Sequence, residues 1–333
     1  MPINASIGVL KIVNYKADEE IDIDEEFQIP DDLIGQRIDA SLAALLPRLS
    51  RSRIKRLIDS QQILINGKSC KPKSIVLGNE RVVISDPTME TDLGFVAENI
   101  PLDVVYEDDT ILVINKKHGV VVHPGAGNWT GTVLNGLLHR YPDSKNIPRA
   151  GIVHRLDKDT TGLMVVARTI EAQIHLVKQL QERSIKREYI AVVYGKTKAS
   201  GTIDLPIGRH PRARTKMAVI ASGKEAKTHF QKQSGGEAWS SLQCFLETGR
   251  THQIRVHLSH IGHPLIGDPV YKKNTSNLDQ IATIDIPARQ ALHAKKLTLI
   301  HPDSGQEISI ETDTPEDLVR LEQSLKNLDS QRA

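Results

Sequence analysis

The sequence predicts an α+β protein in two parts. The first is a small N-terminal module of helices and short strands, and the second a large domain on a mixed, mostly antiparallel sheet. Three observations lead there. Apolar residues recur at helical spacing twice between positions 31 and 62, and strand-like runs follow them. The stretch 87–100, PTMETDLGFVAENI, interrupts both patterns. From Pro101 onward short β-branched runs follow one another closely while helical patterns are few.

Taken in order, residues 1–28 read as an acidic extension without a packed structure, because ADEEIDIDEE (17–26) offers too little to bury. Residues 31–90 form the small module. In DDLIGQRIDASLAALLPRL (31–49), Ile38, Leu42, Leu45 and Leu46 make one helical stripe. Ser50 is a candidate N-cap for a second helix whose stripe is Ile54, Leu57 and Ile58. ILINGK is a strand ending in Asn66-Gly67, a hairpin turn signal, and ERVVISD (80–86) is another strand. Residues 91–100 are a linker.

The large domain covers 101–325. DVVYED, TILVINK, GVVVHP, GIVHRL, GLMVVAR, EYIAVVYG, SLQCFLETG, KLTLIHP and EISIET are its expected strands, and 131–140, 171–183, 251–261 and 315–330 its expected helices.

The 333 residues suffice for two domains. At 39% hydrophobic but only 4% aromatic residues, the core is aliphatic and platforms that stack single-stranded bases are disfavoured. The net charge of +2 conceals a basic excess outside the acidic segment. Cys70 and Cys244 lie too far apart in sequence to suggest a disulfide framework, which fits a reduced cytoplasmic setting. MPINASIGVLKIVNYK lacks the apolar stretch of a signal peptide, and no run approaches the roughly 18 apolar residues of a membrane helix. A soluble protein without membrane contact is expected.

Arg51, Arg53, Lys55 and Arg56 crowd one short helix, where like charges repel. A phosphate-binding face explains such crowding, since basic side chains displace counterions along a nucleic-acid backbone; the alternative is a solvated helix face. GRHPRARTK (208–216) has no apolar periodicity and reads as a basic loop, with Arg212, Arg214 and Lys216 placed to reach a second stretch of backbone.

The most unusual stretch is GIVHRLDKDTTGLMVVAR (151–168), where His154, Arg155, Asp157, Lys158 and Asp159 sit between two apolar runs. A carboxylate at a strand end can act as metal ligand, general acid or base, or nucleophile. Metal binding usually needs several converging ligands, and no HExxH or cysteine pair accompanies His252, His257, His260 and His263, so no metal is expected. An arginine opposite Asp157 would lower its pKa and fix its rotamer; Arg155, Arg250 and Arg255 are candidates.

GIVHRLDKDTTGLMVVAR resembles motif II of the pseudouridine synthases of the RluA type. INKKHGVVVHPGAGNWTGTVLNGLL, REYIAVVYG and TGRTHQIRVHLSHIGHPLIGDPVY are similar to that family's other motifs, in the same order. Residues 31–86 resemble an S4 RNA-binding domain. Together the likenesses span about residues 31–310. The turn Lys117-His118-Gly119 departs from the Pro-x-Gly type found in many relatives, and the acidic segment 17–26 lies outside the likeness.

The resemblance implies an isomerase that converts uridines of large-subunit (23S) ribosomal RNA, in the helix 69 stem-loop, to pseudouridine. Its substrate is that RNA or an assembling large subunit, and the enzyme is a monomer without cofactor. The resemblance implies Asp157 as the catalytic carboxylate, Tyr189 against the uracil ring, Arg255 as the partner of Asp157, and Arg155 as a phosphate contact, a filler of the space left by the extruded base, or a brace of the loop. The chemistry breaks N1–C1′, turns the uracil and rejoins it through C5. A base inside a stem-loop must first be flipped out. Asp157 either attacks C1′ or removes the C2′ proton. No GxGxxG follows a strand and no GxxxxGK[ST] occurs, consistent with a reaction that needs no nucleotide cofactor. A metal-dependent RNA nuclease and a non-catalytic assembly factor are the rival classes.

Overall fold

The computed structural model describes residues 23–46, 51–86, 96–125, 128–213, 216–272, 281 and 283–332. The chain divides into two compact units, Met1–Asp92 and Leu93–Ala333.

In the first unit, helices α1 (Ile38–Leu45) and α2 (Arg51–Asp59) accompany strands β1 (Ile23–Gln28), β2 (Ile63–Ile65) and β3 (Arg81–Asp86). The sheet is antiparallel in the order β1-β3-β2. Its core holds the residues the helical spacing selects: Ile38, Leu42 and Leu46 from the first stripe, Ile54, Leu57 and Ile58 from the second. Asn66 and Gly67 both adopt positive φ, and Ile65 and Lys68 exchange backbone hydrogen bonds across them, so the tight turn forms. It does not lead straight into a second strand. Asn66 is clamped instead to Arg81, donating its N–H to the Arg81 carbonyl and accepting the Arg81 N–H on Oδ1, and β2 pairs with β3.

Strand β1 corrects the expectation for residues 1–28. Residues 23–28 pair with β3 from Ile23↔Asp86 to Gln28↔Arg81, because β2 covers only one edge of β3 and the other needs a partner for its backbone groups. The rest of the acidic stretch, and Ser50, lie outside the described residues.

The second unit carries β4 (Val104–Glu107), β5 (Ile111–Lys116), β6 (Thr161–Ala167), β7 (Lys186–Tyr194), β8 (Ser200–Asp204), β9 (Ile207–Arg209), β10 (Met217–Val219), β11 (Lys227–Gly235), β12 (Trp239–Leu246), β13 (Leu292–Ile300) and β14 (Glu307–Glu311). Its helices are α3 (Val133–Arg140), α4 (Ile170–Gln181), α5 (Gln253–His260) and α6 (Glu316–Arg332), where helical spacing places them. One mixed sheet runs β4-β5-β6-β13-β7-β12-β11-β8, with β14 also on β13. Only β6 and β13 are parallel, and they touch for two residues before diverging. This is the mixed, mostly antiparallel sheet the sequence predicts.

Two expected strands are not strands. GVVVHP makes only an isolated bridge, Val121↔Thr132, and GIVHRL only Ile152↔Val166. Their apolar residues are buried as packing, not as ladder. The basic stretch 208–216 begins in a strand rather than in a free loop: Gly208 and Arg209 belong to β9, which pairs with β10 from Arg209↔Met217 to Ile207↔Val219. Nor is all of 91–100 a linker. Residues 96–100 dock on α3: the Asn135 amide donates to the Val96 carbonyl (2.7 Å), and the Glu98 N–H donates to the Asn135 carbonyl (3.0 Å).

Candidate active site

The segment that carries Asp157 is held to the sheet by the edge of β6 that β13 leaves open. Val165 donates its backbone N–H to His154 Nε2 at 3.0 Å, and Ile152 bridges Val166. Gly151 permits this approach: a Cβ there would lie 1.8 Å from the Ala167 carbonyl oxygen, and its φ is +79°. His154 therefore keeps Nε2 unprotonated, and burial, reinforced by the Arg187 charge, pushes its pKa down to about 3. Asp157 is thus not at the end of an upstream strand. It opens the turn into β6, closed by the Thr160 N–H on the Asp157 carbonyl.

The far side of that turn is fixed residue by residue. Lys116, buried at the end of β5, donates to the carbonyls of Lys117, Val120 and Lys158 at 2.9–3.0 Å. Burial brings its pKa down to about 7 against the pull of Asp159 and Asp157. Arg289 reaches the Asp159 carbonyl, the Gln290 amide donates to Thr160 Oγ1, and His293 Nδ1 meets Thr161 Oγ1 at 2.9 Å. A backbone fixed this way presents one carboxylate in one direction.

Arg255, in the first turn of α5, meets that carboxylate. Its Nη1 donates to Asp157 Oδ2 at 2.8 Å. Its Nε and Nη2 donate to Asp268 Oδ2 and Oδ1 at 2.8 and 3.0 Å. Asp268 also accepts the N–H groups of Val270 and Tyr271. Burial alone would raise its pKa, but the Arg255 guanidinium and these two N–H groups hold it below the usual carboxylate range. The Tyr271 ring lies under the guanidinium at 5.1 Å. Its hydroxyl accepts the Met217 N–H and bonds His252 Nδ1 at 2.7 Å, which leaves His252 Nε2 3.8 Å from Asp157 Oδ1.

Asp157 opens onto a cleft of about 570 Å³ that Tyr189, Leu246, Leu292, Arg155 and Arg187 also line. Tyr189 is the fourth residue of β7, and its face of the strand continues through Ala191 and Val193 into the main core. It is both a core aromatic and a cleft wall. The cleft therefore combines an ionisable oxygen held by a guanidinium, a flat aromatic ring and aliphatic neighbours, as suits a planar base attached to a sugar.

The structure brings Asp157, Tyr189, Arg255 and Arg155 to this cleft. It does not leave Arg51 for RNA alone: its Nη2 donates to the buried Asp39 at 3.0 Å, beside a two-bond Arg37–Asp39 pair. An α1 carboxylate inside a helix pair needs those cations. Lys55 and Arg56 are exposed on α2, Arg212 is exposed near the hairpin tip, and Lys216 is exposed with its Nζ on the Val270 carbonyl. Arg214 and the side chain of Arg53 lie outside the described residues. Asp268 and Tyr271 join the site through Arg255 and are not singled out by sequence patterns, although GDPVY sits inside the segment that resembles a family motif; a buried Asp 13 positions past an arginine carries no periodic signal. His257 is buried on Thr228 and the Leu205 carbonyl while His260 is exposed, so the two do not converge. Among the described residues no three His, Cys, Asp or Glu form a metal-binding group.

Two family models match: "RNA pseudouridylate synthase" over residues 110–260 and "S4 domain" over 36–82. The chain belongs to the RNA pseudouridylate synthase family, enzymes that isomerise uridine in RNA, and carries an S4 domain ahead of the catalytic region. Among its relatives, the chain is 49% identical over 303 residues to the ribosomal large subunit pseudouridine synthase D of Nitrosomonas europaea, covering 91% of this chain and 88% of that one. It is 53% identical over 300 residues to the protein of the same name from Escherichia coli K12, covering 88% and 91%. Among solved structures, human RNA pseudouridylate synthase domain containing 1 superposes with a TM-score of 0.51 at 25% identity, over 69% of this chain and 96% of that one.

Proposed function

We propose that the protein converts specific uridines of large-subunit ribosomal RNA to pseudouridine, with Asp157 acting on the ribose of a flipped-out nucleotide. The observation that carries this reading is the three-residue chain Asp157–Arg255–Asp268 at the wall of a cleft shared with Tyr189. Relatives at about half identity are named as pseudouridine synthases of the ribosomal large subunit, and the site the sequence resemblance implies is the helix 69 stem-loop.

The roles follow from position. Arg255 holds the Asp157 carboxylate in one orientation, as either attack on C1′ or removal of the C2′ proton requires. Tyr189 supports one face of the uracil while aliphatic Leu246 and Leu292 leave it room to turn. Arg155, exposed at the cleft mouth, contacts the RNA beside the flipped base. Lys55 and Arg56 of the S4 domain, with Arg53, contact phosphate, as do Arg212, Arg214 and Lys216. No cofactor is needed, since atoms are only rearranged. The enzyme works as a monomer in the cytoplasm, away from membranes; among the described residues no helix is long and apolar enough to cross one.

The test is a map of pseudouridines in ribosomal RNA from cells with the wild-type gene, without it, and with only Asp157→Asn. Loss of the same helix 69 positions in the last two supports the reading. Full modification by Asp157→Asn, or unchanged large-subunit RNA in cells lacking the gene, overturns it.

A further inference from the structure

Three arginines are buried among the described residues: Arg187, Arg255 and Arg289. Arg255 holds two carboxylates and Arg289 pairs with Asp317 at 2.7 Å. Arg187 differs. It is only 9% exposed, yet its Nε makes no hydrogen bond and no carboxylate pairs with it among the described residues. It lies on β7 two residues before Tyr189, on the same face of the strand, and lines the same cleft as Asp157. Gly249, which also lines the cleft, lies close to its guanidinium: a Cβ added there would come within 2.7 Å of Arg187 Nη1.

A buried charge without a partner is costly, and folds keep one where a ligand supplies the missing charge. The reaction creates such a charge. When C1′–N1 breaks, by either route open to Asp157, the bonding pair leaves with the uracil, whose negative charge spreads over N1, O2 and O4. That pair then forms C5–C1′ as the bond from Asp157 to C1′ breaks in the attack route, or as C2′ takes back the proton Asp157 had removed in the other; C5 loses its proton and N1 gains one, so the isomerisation balances without a co-reactant.

We propose that Arg187 donates a hydrogen bond to a carbonyl oxygen of the uracil lying against Tyr189 and stabilises the anion that forms as the glycosidic bond breaks. This rests on the assignment of Asp157 and Tyr189 to that cleft. A phosphate is the poorer occupant, because its charge would be met by exposed arginines at the rim, such as Arg155 and Arg183, rather than by one sunk beside the ring. Donors fixed where charge develops act on the rate more than on binding.

The experiment compares Arg187→Met, Arg187→Lys and Asp157→Asn in the full-length protein on a stem-loop RNA. Arg187→Met should lower the single-turnover rate at saturating RNA by about 100-fold, the usual effect of removing one such donor. Affinity should stay within about twofold, since phosphate contacts set it. Resistance to urea should hold or increase, because an unpaired buried charge is gone. Arg187→Lys should recover part of the rate. With 5-fluorouridine at the target, the electron-withdrawing fluorine eases departure of the ring, so the methionine variant's deficit in bond cleavage should shrink. A wild-type rate overturns the proposal. So does weaker binding with a shallower salt dependence at unchanged rate, which marks a phosphate contact. Unfolding of Arg187→Met overturns it as well, marking a structural strut. If Asp157→Asn also turns over, the assignment of the cleft itself fails; if Asp157→Asn is inert while Arg187→Met is fully active, only the role of Arg187 fails.

Discussion

Arg255 gives Asp268 two hydrogen bonds and Asp157 one. The two carboxylates differ in exposure as well, 1% for the Asp268 side chain and 16% for that of Asp157. Asp268 is the anchor, itself fixed by two backbone N–H groups, and the third guanidinium bond is what reaches the cleft. The geometry of Asp157 is thus set from a buried residue that does not line the cleft.

Asp268→Asn should accordingly injure both stability and activity. It leaves Arg255 buried with a single charge partner, and breaking a buried pair from one side costs about 3–5 kcal/mol. Activity should fall by about 100-fold through misplacement of Asp157. Urea unfolding and single-turnover rates measure the two effects; an Asn variant as stable and active as wild type would show that Arg255 needs no anchor.

Asp157→Asn isolates the chemistry. The amide keeps the shape and still accepts a hydrogen bond from Arg255, while the turn it opens is held by Lys116, Arg289 and Gln290. Turnover should be lost and RNA affinity should stay within a few-fold, because binding rests on backbone contacts elsewhere. Filter binding and a pseudouridine assay separate the two; retained turnover sinks the assignment.

His293 predicts an acid limb of stability. It is buried against Thr161, and burial, with the Lys295 and Arg289 charges, lowers its pKa to about 4. Folded, it takes up its proton only near pH 4; unfolded, at about 6.5. Between those values the unfolded chain binds the extra proton, so its contribution is complete above pH 6.5 and is lost as pH falls toward 4. The slope from this one group is about 1.4 kcal/mol per pH unit within the window. His123 and His154, lowered to about 4 and about 3, act in the same direction. Urea titrations of wild type and His293→Asn between pH 4.5 and 6 should differ in slope by that amount; parallel slopes would contradict it.

Periodicity makes the helices and most central strands legible, because Ile54, Leu57 and Ile58 or the run of β6 can be buried in only one way. It misleads where burial and ladder separate: Ile152 is buried as central strand residues are, but the β6 edge beside it is met by one bridge and a histidine. It misses β8 and β11, which lie toward one end of the sheet; β11 alternates burial through polar Thr228, leaving only Phe230 as an apolar marker. At the site, Asp157 and Arg255 are readable as a charge pair with motif support. Asp268 is not, since its role arises from a loop folding back on α5. Arg187 is hidden for a different reason, because a missing counterion is visible only in three dimensions.

The S4 domain should govern affinity and the second unit the chemistry. Lys55 and Arg56 project from α2 opposite its buried stripe of Ile54, Leu57 and Ile58, while Arg51 is committed in part to Asp39. Each phosphate that a basic side chain neutralises adds to the slope of log affinity against log salt, by about 0.9 on duplex and about 0.7 on single strands. Neutralising Lys55 and Arg56 together should therefore flatten that slope by up to about two units, whereas Arg51→Gln should flatten it less and destabilise the domain by loosening a buried carboxylate. Single-turnover rates at saturating RNA should be unchanged in the double variant, because every residue assigned to the reaction belongs to the second unit. Salt titrations of stem-loop binding, paired with rates at saturation, decide the matter. A double variant that binds with wild-type salt dependence removes α2 from the RNA interface, and one that binds normally but turns over slowly would mean that the S4 domain helps to build the active site.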